Sequence, residues 1–555
     1  MRVVRAVVGI VLVGLVAGAG GGAAAPPPPT RAQAAAGRPA PLTPTDLDDR
    51  AALLRHVVAQ LEPSGRSLLR QDEVVVVIGV SGGPTTMAWA MPDVTADGRE
   101  DVLQLDLTAR RYRAREGRSG RVLWSLSSDE LYLVAPARLG VRARPSLVGQ
   151  SFERADDGVL RTGVVAIDGA TGRRLWTHER SSLLVESEAG YAAADVVLVG
   201  SVLRGPGHQA DRVVVERVSE VRTFAGTGAA IPFVIDGATG LPGDPGAPVL
   251  GEEAAWVHAL PDLDGDRVED FALTTSGTQH GQLSVRSGAT QGVLWEKSVI
   301  GPEGGTWLWP VPLPGLGGPG RAGLALVKDG FDAATTTAFD GPTGRELWSV
   351  DRAVVDVLGR VDRDGVSDVL VREPSSGDDY AFGGLSGASG RRLWTARITL
   401  NPASGGFRSF GIGPGGDLDG DGVRDVLAVM ESGGRHPTAR QVVVSGRTGS
   451  VRAFRTLFGQ TLGAPLRGHR EALVDLDVVD GRGRLSALDL GGTVWAVPLR
   501  SPGVQGLWLA APLRLRPGVT DVLVSTYGDR GGDVLAVDGR TGAVRWRTHV
   551  PRAAA

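Results

Sequence analysis

From about Gln71 onward the chain alternates short apolar runs with clusters of Gly, Asp, Ser and Thr, which is the pattern of strands and tight turns. One unit recurs: an apolar strand ends in Asp-Gly or Ser-Gly, passes a Thr-Gly or a close variant, and reaches a tryptophan eight residues after its first member. Six copies keep that interval, starting at Glu116, Asp168, Ser287, Asp340, Ser386 and Asp538 and ending at Trp124, Trp176, Trp295, Trp348, Trp394 and Trp546. Two more, at Asp236 and Ser445, keep the turn without the tryptophan, and a degenerate ninth would fit near Gly491-Gly492. Glycines supply the positive φ that a tight hairpin demands, and the repeated tryptophan is expected to pack one unit on the next.

Neighbouring turns lie 46 to 68 residues apart, enough for four short strands per unit. A closed ring leaves few exposed edges, and no polar capping repeat is visible at either end. The expected fold is therefore all-β, a β-propeller of four-stranded blades over residues 71–550, with eight blades and seven as the alternative count.

The N-terminal residues follow a different pattern. Two arginines within Met1–Arg5, an apolar run from Ala6 to Val16 and the small residues Ala23–Ala25 predict an export signal over residues 1–25. Without cleavage the same stretch would act as a membrane anchor. Residues 26–44 are rich in Pro and Ala and read as a linker. Leu47, Leu54, Val58 and Leu61 then fall at helical spacing in a short lead-in over residues 45–70. The expected location is secreted or cell-surface.

Composition narrows the function. The 81 glycines agree with many turns, and a net charge of -3 without basic blocks argues against nucleic acid. Zero cysteines exclude disulfides, thiolate metal sites and cysteine nucleophiles. The eight histidines show no HxH or HExxH spacing.

The acids are patterned. Asp262-Leu263-Asp264-Gly265-Asp266-Arg267-Val268-Glu269-Asp270 and Asp417-Leu418-Asp419-Gly420-Asp421-Gly422-Val423-Arg424-Asp425 each place carboxylates at loop positions 1, 3, 5 and 9, ahead of a strand. Hard Ca²⁺ takes six to eight oxygens, and such acids on a turned loop converge on one point, with the carbonyls of Val268 and Val423 at position 7 as further ligands. Two partial loops carry Asp93, Asp97 and Asp101, and Asp362, Asp364 and Asp368, the latter with Arg360 at position 1. The cofactor expected is structural Ca²⁺.

Phe410-Gly411-Ile412-Gly413 leading into the 417–425 loop resembles the FG-GAP (VCBS) repeat of integrin-α-like propellers, without the downstream Gly-Ala-Pro half of that motif. The Asp-Gly-x-Thr-Gly-x-x-x-Trp hairpins resemble the repeats of quinoprotein (PQQ-like) propellers. The first resemblance implies calcium in the blade loops and a role in adhesion or ligand binding. The second implies either a quinone-dependent dehydrogenase or a non-enzymatic scaffold.

A quinone enzyme needs one coherent constellation of cations, metal and base, and these acids are instead spread through loop repeats. Gly79-Val80-Ser81-Gly82-Gly83 fits a nucleophile elbow, yet Pro84 follows at once and no βα units come after it. The reading reached is a non-enzymatic, monomeric binding or adhesion module for an extracellular protein or glycan. A quinoprotein-like dehydrogenase or a propeller-based polysaccharide-active enzyme is the alternative. The 195–236 segment and Trp307-Leu308-Trp309-Pro310 are the candidate binding surfaces.

Overall fold

The computed structural model describes residues 86–551 apart from short stretches, the longest being 244–253, 301–306, 400–406 and 433–438. The expected leader, linker, helical lead-in and Gly79–Gly83 string lie outside the described residues. What is described is all β, and every strand pairing is antiparallel. Nine repeats follow one another, over residues 86–127, 131–187, 190–236, 254–300, 307–350, 353–399, 407–457, 462–498 and 504–551.

Seven repeats are separate four-stranded sheets with strands in chain order. Repeats two and three share an eight-stranded sheet, because the fourth strand Arg174–Ser187 runs on to pair with Gly190–Leu203. Repeat three has no full fourth strand among its described residues, where Ile235 and Pro242 form a single bridge. Eight sheets thus carry nine repeats. The degenerate copy is real: residues 482–498 form a hairpin that turns between Asp489 and Gly492.

Within a repeat, position in the sheet explains the sequence. The second strand lies inside the sheet and is covered on both faces, so it reads as an apolar run; Val369, Leu370 and Val371 are fully buried, as are Val522, Leu523 and Val524. The fourth strand is the outer edge and alternates, with Trp546 buried between exposed Arg545 and Arg547. First strands pack beside one another from repeat to repeat.

The repeated tryptophan does more than fill space. Its indole Nε1–H donates to the carbonyl of the turn glycine in the next repeat: Trp124 to Gly169 at 2.7 Å, Trp295 to Gly341 at 2.6 Å, Trp348 to Gly387 at 2.8 Å and Trp394 to Gly446 at 2.8 Å. Trp176 and Trp495 bond Gly237 and Gly539 in the same way. The ring face lies on the second glycine of the turn, which holds a positive φ; a Cβ at Gly390 would sit 3.0 Å from the Trp348 ring. Such a position admits neither a side chain nor an ordinary backbone conformation.

The last tie closes the ring. Trp546 donates to Gly117 in repeat one at 2.7 Å, Glu100 N–H donates to Arg514 O and Arg514 N–H to the Glu100 carboxylate, both at 2.8 Å. The fold is a β-propeller.

Between repeats three and four the tie is rebuilt from other residues. Arg212 Nη1 donates to Gly288 O at 2.6 Å in place of an indole. With no ring to accommodate, the second turn glycine is replaced by Gln291 at φ 63°, whose Oε1 accepts from Val234 N–H at 3.0 Å.

Trp348→Phe keeps most of the packing and leaves Gly387 O without its donor. The expected loss is about 1 to 3 kcal/mol in urea unfolding, and about 3 to 5 kcal/mol for Trp348→Ala. Values below about 0.5 kcal/mol would show that the tie does not hold the junction.

Candidate metal centre

Each acidic loop joins the first strand of a repeat to its second, and each hairpin turn joins the third strand to the fourth. In an antiparallel sheet these two connections lie at the same end, so loop and turn are neighbours.

The four loops share one backbone. Positions 4 and 6 take positive φ in all of them: Ala96 and Gly98, Gly265 and Arg267, Arg363 and Gly365, Gly420 and Gly422. The partial loops therefore have the same turn as the complete ones, and three of the four accept a non-glycine residue in the left-handed region, at some cost in strain.

The carboxylates converge unequally. Oxygens of Asp262, Asp264 and Asp270 lie within 4.8 Å of one another, as do those of Asp362, Asp364 and Asp368, and those of Asp417, Asp419 and Asp421. The loop bearing Asp93, Asp97 and Asp101 gives no such group among the described residues. Asp93 accepts from Asp97 N–H at 3.2 Å and Gly98 N–H at 2.7 Å, as Asp262 accepts from Gly265 and Arg267 N–H and Asp417 from Gly420 and Gly422 N–H, so this inward turn is common to the position-1 acids. Asp266 stands apart from its cluster and accepts from Val268 N–H at 2.8 Å; Asp421 accepts from Val423 N–H at 2.8 Å within its cluster, and there it is Asp425 that stands apart. Val268 and Val423 have buried side chains that anchor the end of each loop.

The ninth-position aspartate has a structural task that spacing alone did not reveal. Asp101, Asp270, Asp368 and Asp425 are fully buried. One oxygen accepts from the position-2 N–H of the loop: Val94 at 2.9 Å, Leu263 at 2.6 Å, Val361 at 2.6 Å and Leu418 at 2.9 Å. The other accepts from the first turn glycine: Gly117 at 2.8 Å, Gly288 at 2.9 Å, Gly387 at 3.0 Å and Gly446 at 3.1 Å. A Cβ at Gly446 would lie 1.8 Å from Arg424 O, so the close approach requires glycine. The sequence signal for this bolt is an Asp-apolar start to the second strand paired with a downstream Ser-Gly or, for Asp101, Glu-Gly.

Burial dominates the electrostatics. It pushes Asp270 up to about 7 and Asp368 and Asp425 up to about 6, with backbone hydrogen bonds opposing and neighbouring acids adding to the rise. Asp101 is raised as well, again mainly by burial. A bound cation would reverse this by favouring the carboxylates.

The donor set suits a hard divalent ion: several carboxylate oxygens, no nitrogen or sulfur, on a rigid turn. The loops differ in what already neutralises them. Arg447, two residues into its hairpin turn, donates from Nε to Asp421 Oδ2 at 2.9 Å and from Nη2 to Asp421 O at 2.6 Å, and Arg452 lies 3.3 Å from Asp419. Arg447 also reaches Val361 O of the preceding repeat at 3.3 Å, so one guanidinium links two acidic loops. In the 417–425 loop Arg447 and Arg452 thus offset part of the carboxylate charge.

The candidate binding segment Trp307–Pro310 lies in the first strand of repeat five. Leu308 is buried, whereas Trp309 is 50% exposed and meets His258 of repeat four edge-on, with ring centroids 5.5 Å apart. His258 is itself buried and shares a 2.9 Å hydrogen bond with Thr274 Oγ1. The 195–236 segment belongs to the eight-stranded sheet.

No family model and no curated protein matches the chain. Solved structures similar to it include BamB from Moraxella catarrhalis, 13% identical over 73% of this chain and 97% of that one, with a TM-score of 0.31. The Dos1 propeller is 12% identical over 66% and 89%, TM-score 0.35. The quinohemoprotein alcohol dehydrogenase of Comamonas testosteroni is 12% identical over 76% of each chain, TM-score 0.30. Likeness this distant carries no activity to this chain. The β-propeller rests on its own sheets and closing contacts.

In metal-free protein the raised aspartates bind protons more tightly folded than unfolded. Their contribution to stability is complete below about pH 4 and is lost as pH rises towards about 7. Urea midpoints measured in chelator are expected to fall over that window, and excess calcium is expected to flatten or invert the slope. A midpoint that rises with pH in chelator would contradict the assigned burial.

Proposed function

We propose that the chain is an exported, calcium-stabilised β-propeller that binds an extracellular protein or glycan without chemical turnover. The observation that carries the calcium reading is the convergence of Asp262, Asp264 and Asp270 within 4.8 Å on a loop bolted to the sheet edge. The Phe410–Leu427 resemblance to FG-GAP (VCBS) repeats supports the same reading. In the calcium-loaded form Asp262, Asp264 and Asp270 hold the ion in repeat four, Asp362, Asp364 and Asp368 in repeat six, and Asp417, Asp419 and Asp421 in repeat seven. The ion supplies charge neutralisation and cross-linking of the loop, and no catalytic step is assigned to it. Extracellular sites of this type bind with dissociation constants of ~0.1 to 1 mM, so each contributes about 0.4 to 1.4 kcal/mol at ~1 mM calcium.

Binding is assigned to the ring's first-strand face around Trp309, because a half-exposed indole on a rigid strand offers contact area at little entropic cost. The apolar N-terminal segment and linker support export, with membrane attachment only if that segment is retained.

Two measurements test this. Chelation is expected to lower the melting temperature, with calcium found by elemental analysis; no bound calcium and no shift would overturn the metal assignment. In glycan and protein arrays Trp309→Ala is expected to lose most of the signal of the wild type. Equal signal would remove Trp309 from the binding face, and dye-linked oxidation in the presence of added quinone would overturn the non-enzymatic reading.

A further inference from the structure

Eight of the nine junctions between repeats place a donor on the first turn glycine of the next repeat: seven use an indole, and the junction from repeat three to four uses Arg212. The junction from repeat seven to eight is built differently on both sides. Where the other fourth strands carry tryptophan, repeat seven has Ala453, which faces Val443 as Trp394 faces Gly384 and Trp546 faces Ala536. Opposite it, repeat eight replaces the Asp-Gly-x-Thr-Gly turn with a tighter hairpin in which Asp489 pairs directly with Gly492. Both the indole and the turn that would receive it are changed together.

Among the described residues, the apolar contact at this junction is made by Leu418, Leu427, Val443 and Leu488, with Leu490 packed against them. Where the chain ends meet, buried residues pack from Ala88 and Val102 of repeat one to Leu513 and Trp546 of repeat nine. That junction adds the Trp546 bond, the reciprocal Glu100 and Arg514 bonds, and Ser525 Oγ–H to Thr86 O at 3.0 Å.

We propose that the ring opens between repeats seven and eight, and that the junction of the chain ends is sealed. A propeller built by repetition can separate at whichever junction has the least local stability, and local opening samples that point first. Opening here separates Leu418, in the 417–425 loop, from Leu488 and Leu490 and exposes the edge of repeat eight.

Hydrogen exchange with mass spectrometry on the full chain tests this, comparing strands that hold the same place in their sheets. Fourth strand Val451–Leu457 is expected to exchange at least about tenfold faster than Val544–Pro551, and first strand Leu462–Arg467 at least about tenfold faster than Thr86–Met91. Equal rates, or faster exchange at Val544–Pro551 and Thr86–Met91, would overturn the proposal. In Trp546→Phe the closing strands are expected to accelerate towards the rates at repeats seven and eight. Unchanged closing strands would show that indole ties do not set where the ring opens, and if this variant fails to fold, the wild-type comparison decides alone.

Discussion

The hydrogen bond from a tryptophan indole to a glycine carbonyl of the next repeat is the constraint on which the rest of this molecule depends. A propeller sheet is small, and four short strands cannot bury both faces alone. Each repeat must be held at a fixed angle and distance from the next. The indole does this with one group: its ring covers the left-handed glycine of the turn, and its N–H meets the carbonyl of the preceding glycine. An unpaired carbonyl buried there would cost more than the bond contributes, so donor and acceptor have to be kept together. The junction between repeats three and four follows this logic, because loss of the ring comes with Arg212 on the carbonyl and a side chain, Gln291, on the position that elsewhere must be bare.

The same glycine connects architecture to the acidic loops. Gly387 and Gly446 accept from the indole of the preceding repeat and donate to the buried aspartate of their own. One glycine residue therefore carries both the contact between repeats, on its carbonyl, and the anchor of the loop that gathers carboxylates, on its N–H. A change in the charge of the loop is felt first by Asp368 or Asp425, and through them by the glycine that fixes the neighbouring repeat. This makes a loop cation a matter of ring stability, which agrees with its proposed structural role and with the absence of any cysteine to cross-link the chain.

Much of the fold was legible because the tie is made of rare residues at a fixed interval. Tryptophan eight residues after an Asp-Gly or Ser-Gly is visible without structure, and so are the strands on either side. The acidic loops were legible too, since acids at positions 1, 3, 5 and 9 are visible in the sequence, whereas which three of them converge differs from loop to loop. Two features were hidden for physical reasons. The bolt from Asp425 to Gly446 joins residues 21 apart whose neighbourhood depends on strand order. The merging of repeats two and three depends on how far Arg174–Ser187 extends, and nothing in its composition marks where pairing continues. Arg447 was overlooked because arginine is common throughout the chain, and only its contact with Asp421 distinguishes it.

The twelve tryptophans divide by strand in a way that sequence spacing only half suggests. Seven, with Trp495 joining the six at regular interval, lie on fourth strands and carry the ties between repeats. The other five, Trp89, Trp256, Trp307, Trp309 and Trp508, all lie on first strands, which pack beside one another around the ring. A residue retained only to fill space between sheets would have no reason to sort this way, since the interior of each sheet is already filled by Val, Leu and Ala. The fourth-strand set is hydrogen-bonded to the next repeat, and all of it but the partly buried Trp176 is buried. Trp309, half exposed beside a buried histidine, is different in kind. The same side chain thus sits at opposite edges of the sheet in two different settings, tied to the next repeat on the fourth strand and, at Trp309, half exposed on the first.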